Sequence, residues 1–165
     1  MDLDPQFGQV ARLQRISGLR VSEAVHLQAH CIAPDGSQIT LSGPGIHTKG
    51  GRERIVPILE QHRSVLIELR EQGLAHPDGH LFQHRQSLTN AVKRAASALV
   101  TKLGIAVGDG SHSFRKCYAN ELYQHLVAID GMSPDEARRA VTQALGHNRL
   151  DVLRAYLVED KDSED

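Results

Sequence analysis

Six side chains with reactive or ion-binding chemistry stand where the sequence changes direction: Arg20, Lys49, His112, Arg115, His147 and Tyr156. Taken singly, each has an ordinary reading. Arg20 suits a cation near a helix C-terminus, Lys49 a solvated hairpin tip, and His112 with Arg115 the polar face of a helix start. Taken together they are two guanidiniums, two imidazoles, an ammonium and a phenol. The complementary target for such a set is a phosphodiester. Guanidinium forks neutralise non-bridging oxygens and the charge that grows on them during phosphoryl transfer. Imidazoles exchange protons near neutral pH. An ammonium can protonate a departing alkoxide. A phenol, with an ordinary pKa of about 10, becomes a nucleophile once cations and a base favour its phenolate. Glu23, three residues after Arg20, is close enough to orient that guanidinium.

The elements that must position these groups are legible in outline. Apolar Phe7, Val10, Leu13 and Ala11 predict a first helix over about 6–17, closed by Gly18. Ser22 is the expected cap of a short second helix through about Leu27, which sets Arg20 in a tight corner between helices. Cys31-Ile32, Gln38–Leu41, Ile46–Thr48 and Arg54–Ile58 read as short strands, with turns at Pro34-Asp35-Gly36 and Gly50-Gly51. Lys49 then rides on a hairpin tip, either solvated or swung into a site from above. A helix follows over about 60–72 and stops at Gly73. Another begins at a cap on Ser87 and reaches about Leu103. Ser111 is a plausible cap for the helix that carries His112 and Arg115 in its first turn, an anion-favouring position. Tyr118, Leu122 and Leu126 form its core stripe, and Cys117 reads as a small buried residue. Ser133-Pro134-Asp135-Glu136 is a capping box opening a helix to about Leu145. Gly146 ends it, His147 follows directly, and a short helical piece runs from Arg149 to about Leu157.

Composition narrows the classes. At 165 residues, 40% hydrophobic and 24% charged, the chain suits one globular domain. It has neither the roughly 20-residue apolar run of a membrane span nor a signal-peptide pattern. Two distant cysteines, Cys31 and Cys117, form no disulfide framework, so a cytoplasmic location is expected. Net charge is −1, but the last seven residues hold five acids and one lysine, leaving +3 on the body. That balance neither supports nor excludes a nucleic-acid partner. His76, His80 and His84 are separated by helix-breaking Pro77 and Gly79, with no Cys or carboxylate set to complete a site. No metal and no other cofactor is expected.

At this point the sequence resembles the tyrosine recombinase, or phage-type integrase, family. The resemblance is carried by Gly18-Leu19-Arg20-Val21-Ser22-Glu23, Thr48-Lys49-Gly50-Gly51-Arg52, His112-Ser113-Phe114-Arg115, Leu145-Gly146-His147 and Tyr156, in the family's order over about residues 6–157. It implies the catalytic-domain fold of that family, mainly α with a small antiparallel β-sheet (α+β). It also implies a site-specific DNA recombinase or integrase acting through a covalent 3′-phosphotyrosyl intermediate, without metal or ATP. Tyr156 would be the nucleophile, Arg20 and Arg115 the phosphate clamp, Lys49 the general acid, His112 the base and His147 a phosphate hydrogen-bond donor. Glu23 fills the acidic position that supports the first arginine. The implied partners are double-stranded DNA and further copies of the chain, a tetramer on two duplexes that is monomeric without DNA, with no membrane.

Two departures qualify the resemblance. Family members carry an N-terminal helical core-binding domain that closes around DNA. The expectation is that 1–165 is a single catalytic domain without it, either a fragment that binds DNA weakly alone, the favoured reading, or a chain whose clamp another chain supplies. Only nine residues follow Tyr156, and the tail from about 158 to 165 is acidic, which puts subunit exchange through a C-terminal segment in doubt. Rival readings are a non-catalytic DNA-binding or assembly module of the same fold and a type IB topoisomerase-like relaxer. The expected arrangement brings Arg20, His112, Arg115 and His147 together.

Overall fold

Single residues decide where the first two helices begin and end. A computed structural model describes residues 5–42, 53–103 and 112–146, the side chains of 96–113 excluded. Helix α1 spans Pro5–Ser17. Proline is pre-organised for a first turn, and Gly18, at φ +67°, takes the left-handed conformation that ends the helix. Val10, Leu13 and Ile16 are buried, each worth about 1.5–3 kcal/mol of transfer energy. Buried Gln14 fastens the corner. Its carbonyl accepts the Gly18 N–H (2.8 Å) and its Nε2 donates to the Leu19 carbonyl (3.3 Å).

Helix α2 spans Val21–Val25, and its N-cap is Arg20, in extended backbone. Ser22, the expected cap, lies exposed within the first turn, and the helix stops short of Leu27. The capping work falls to Glu23, whose Oε1 accepts the Arg20 N–H at 2.9 Å. A carboxylate three residues into a helix reaches back to the cap position, so Ser22 has no capping role left.

Strands β1 (Gln38–Leu41) and β2 (Arg54–Pro57) pair antiparallel, with Ile39 opposite Val56 and Leu41 opposite Arg54. Two strands alone are marginally stable; the helix over Pro134–Leu145 packs on β2 and supplies the missing cover. Cys31-Ile32 is not a strand. A 3₁₀ turn occupies Ala29–Cys31, and Ile32 makes a single bridge to Ile39. The turn closed by the Gly36 N–H on the Ala33 carbonyl follows too soon for a longer ladder. The expected strand at Ile46–Thr48 and the hairpin tip at 49–52 lie outside the described residues.

A 3₁₀ turn at Glu60–His62 leads into α3 (Arg63–Leu74), followed by α4 (Arg85–Leu103), α5 (His112–Ala128) and α6 (Pro134–Leu145). Gly73 does not stop α3. It lies inside the helix, and a Cβ there would come within 2.9 Å of Leu81 Cδ1 and 3.0 Å of Ala29 Cβ. Close packing, not termination, is its role. Helix α4 begins two residues ahead of Ser87. Tyr118, Leu122 and Leu126 are buried as their spacing predicts. Cys117 is exposed, contrary to expectation, because one residue turns a helix by about 100° and Tyr118 already faces inward. The capping box of α6 forms: Ser133 Oγ accepts the Glu136 N–H (3.2 Å) and Glu136 Oε2 accepts the Ser133 N–H (3.4 Å).

Helix α1 packs on α2, α4 and α5, α5 packs on α6, and α2 packs on α4. The architecture is therefore mainly helical with one small antiparallel sheet, as the sequence implied. Among the described residues no helix is long and apolar enough to cross a membrane. The expected Ser111 cap, the glycine-bearing segment 104–110, the helical piece at 149–157 and the acidic tail lie outside the described residues.

Candidate active site

The Gly18-Leu19-Arg20 corner holds the first guanidinium at the N-terminus of α2. Arg20 Nη1 lies 3.6 Å from Glu23 Oε1, with 23% of the arginine side chain exposed. Glu23 is buried in the first turn of that helix. Its main partner is not Arg20 but Arg54. Arg54 Nη1 and Nη2 donate to the two carboxylate oxygens at 2.8 and 3.0 Å, a bidentate fork with both side chains buried. Arg54 is the first residue of β2 and points to the same side as Val56.

The same Arg54 side chain also lies against Gly146. A Cβ at that position would fall 2.6 Å from Arg54 Nη1 and 2.9 Å from its Cδ. Gly146 also has φ +77°, so both the turn and the close approach require glycine. The preceding Leu145 carbonyl accepts a hydrogen bond from Arg115 Nη2 at 2.5 Å. A guanidinium at the C-terminal carbonyls of a helix is well placed against its dipole. Arg115 is buried in the first turn of α5.

One turn along α5, the Tyr118 ring seats against Gly18, where a Cβ would come within 2.5 Å of ring Cδ1. The Tyr118 hydroxyl donates to the Pro57 carbonyl at 2.7 Å. Burial pushes this phenol well above its ordinary value, with the Arg54 charge opposing. Tyr118 is thus a structural tyrosine held protonated, not a nucleophile.

Of the seven residues singled out from sequence, the structure brings Arg20 and Glu23 into contact. It joins them to Arg115 through Arg54, Gly146 and Leu145. His112 opens α5, one turn ahead of Arg115; its side chain lies outside the described residues, as do Lys49, His147 and Tyr156. Arg54 was missed as a site residue. The sequence places Arg54 on the same alternating phase as Val56 and Ile58, and the structure shows that phase buried while Ile55 is exposed. A charge on the buried phase of a strand requires a buried counter-charge. Among the described residues no three His, Cys, Asp or Glu side chains gather to hold a metal.

Comparisons with known proteins agree with this architecture. The sequence profile of the phage integrase family matches residues 9–162. The chain belongs to that family. Among solved structures it is similar to the XerH site-specific recombinase bound to palindromic difH substrate in a post-cleavage complex. That match has a TM-score of 0.65 and 21% identity, covering 98% of this chain and 45% of that one. It is also similar to XerA recombinase, with a TM-score of 0.61 and 20% identity over 97% of this chain and 61% of the other. The catalytic domain of bacteriophage HP1 integrase matches with a TM-score of 0.56 and 25% identity over 93% of this chain and 74% of that domain. The chain spans 45% and 61% of the lengths of the first two. No curated protein sequence matches.

Proposed function

We propose that this chain is the catalytic domain of a site-specific DNA recombinase that cuts and rejoins double-stranded DNA through its own tyrosine. In this reading the Tyr156 phenol passes its proton to His112 as its oxygen attacks the scissile phosphorus. The bond from phosphorus to the 5′-oxygen breaks, and that oxygen leaves with a proton from Lys49. Arg20 and Arg115 hold the non-bridging oxygens, and His147 adds a hydrogen bond. The product is a 3′-phosphotyrosyl link and a free 5′-hydroxyl. Attack by another 5′-hydroxyl on the phosphotyrosyl link reverses the chemistry on a new strand. The number of phosphoester bonds is conserved throughout, so neither ATP nor a metal is required. The working assembly in this reading is a tetramer on two duplexes, formed from monomers in the cytoplasm.

The observation that supports it is the buried series of contacts from Arg20 through Glu23, Arg54 and Gly146 to the carbonyl that Arg115 grips, in a chain matched by the family over 9–162. The XerH structure named above is a post-cleavage complex on a DNA substrate, which is the state this reading requires.

The test is incubation with a nicked duplex that lets the released strand diffuse away, followed by a denaturing gel. A slow-migrating protein–DNA adduct is expected, and Tyr156→Phe abolishes it. Failure to form an adduct, with a helical clamp domain supplied as well as without, assigns the fold to DNA binding or assembly alone. Relaxation of a supercoiled circle by single duplex cutting, with no strand exchange between two duplexes, assigns it to a type IB topoisomerase-like role.

A further inference from the structure

We infer that Arg54 is a positioning residue for strand cleavage: it takes up the Glu23 carboxylate so that Arg20 keeps its positive charge for the phosphate, and it seats the Gly146 corner. The inference rests on the reading of the site given above. Two features of the geometry carry it. First, Glu23 has three cationic or N–H donors on it, and the shortest charged contacts, 2.8 and 3.0 Å, belong to Arg54, against 3.6 Å for Arg20 Nη1. If Glu23 paired with Arg20 alone, the pair would be neutral and its pull on a phosphate largely cancelled. With Arg54 present, two guanidiniums face one carboxylate and a net positive charge remains. It is centred on the partly exposed Arg20, since the Arg54 side chain is only 6% exposed.

Second, the same guanidinium lies against Gly146, with room for a hydrogen atom but not a methyl group. That glycine follows the carbonyl held by Arg115 and precedes His147. Arg54 therefore touches both Glu23, which also faces Arg20, and the Gly146 corner whose preceding carbonyl Arg115 grips. A purely structural role would not need this arrangement, because buried ion pairs add little net stability and well-packed apolar residues replace them without loss.

The test uses the parent chain and two variants, Arg54→Lys and the apolar pair Glu23→Leu with Arg54→Met. Measured for each are the thermal midpoint, the DNA affinity with its salt dependence, and the single-turnover rate of adduct formation at saturating nicked duplex. The apolar pair is expected to keep a near-parental midpoint yet form adduct at least ~30-fold more slowly, because the Arg20 guanidinium has lost its frame. Lysine keeps the charge but cannot fork or lie flat on Gly146. Arg54→Lys is expected to slow adduct formation about tenfold while affinity and salt slope stay within about threefold of the parent. Either variant, folded and cleaving within about threefold of the parent rate, overturns the positioning role. Absence of adduct from the parent chain, with the clamp domain supplied, overturns the recombinase reading itself and this role with it.

Discussion

Two of the carboxylates among the described residues, Glu23 and Glu121, each gather two basic partners, and they differ in depth. Glu23, with Arg54 and Arg20, has a side chain 1% exposed, and Glu121, with Arg15 at 2.7 Å and His62 at 2.6 Å, one 25% exposed. The Glu121 cluster, which also accepts from Gln61 at 3.1 Å, stitches α1 and the 3₁₀ turn at Glu60–His62 to α5. Water reaches it, so its charges are screened and its partners replaceable. The Glu23 cluster has no such recourse. Once buried, each charge depends on the others, and geometry there is set by the bidentate Arg54 fork on Glu23 instead of an average over rotamers. The same residue types serve as a surface clasp in one place and as a frame for a site in the other.

The sharpest way to break that contrast is to truncate one arginine in each cluster. Arg54→Met strands the Glu23 carboxylate in the interior and is expected to cost about 3–5 kcal/mol. Arg15→Met is expected to cost at most about 1 kcal/mol. Equal costs in chemical denaturation would erase the distinction. Next in size is Gly146→Ala, which combines a left-handed backbone with a Cβ 2.6 Å from Arg54 Nη1. A loss of about 1–3 kcal/mol is expected, and adduct formation should slow beyond what the lost stability explains. A variant as stable and as active as the parent would show that the corner yields freely.

Tyr118→Phe tests the roof of the buried cluster. It removes the hydrogen bond to Pro57 and is expected to cost about 0.5–1.5 kcal/mol at neutral pH. The folded phenol titrates above the unfolded one, whose value is near 10.0. Its contribution is therefore fully present below that pH and lost as pH rises above it. Phenylalanine should flatten this alkaline loss; an unchanged slope would sink the assignment. The smallest effect belongs to Glu121→Gln. Partial burial raises the Glu121 carboxyl, but the hydrogen bonds from Arg15 and His62 outweigh it and hold the group below its ordinary 4.5. Its stabilisation is present above that value and lost as pH falls through the lower folded one. The glutamine variant should lose at most about 1 kcal/mol at neutral pH and show a shallower acid limb in a pH series of unfolding midpoints.

Elements whose boundaries are single-residue events were readable in the chain. Gly18 ends α1, the Ser133–Glu136 box opens α6, and the Tyr118, Leu122, Leu126 stripe faces the core, because caps and helical period act locally. What escaped is non-local. Gly73 looks like a stop until Leu81 and Ala29 are seen crowding it. Ser22 looks like a cap until Glu23 takes the bond. The 3₁₀ turns at Ala29–Cys31 and Glu60–His62 are too short to leave a period. Arg54 looked like an ordinary strand residue because its partners, Glu23 and Gly146, lie 31 positions before it and beyond α5 after it. The candidate site was legible as residue types. The bond that organises its described part was legible only as an unexplained charge on the buried side of β2.

The contacts that join Arg20, Arg54, Arg115 and Leu145 run from near the start of the chain to the end of α6. Loop closure over such separations comes late in folding. A nascent polypeptide still lacking α6 on the ribosome would have Arg54 and Arg115 without the turn they grip. On the function proposed above, competence to cut DNA would then arrive only once α6 is complete, so that a product truncated before it would be harmless to DNA.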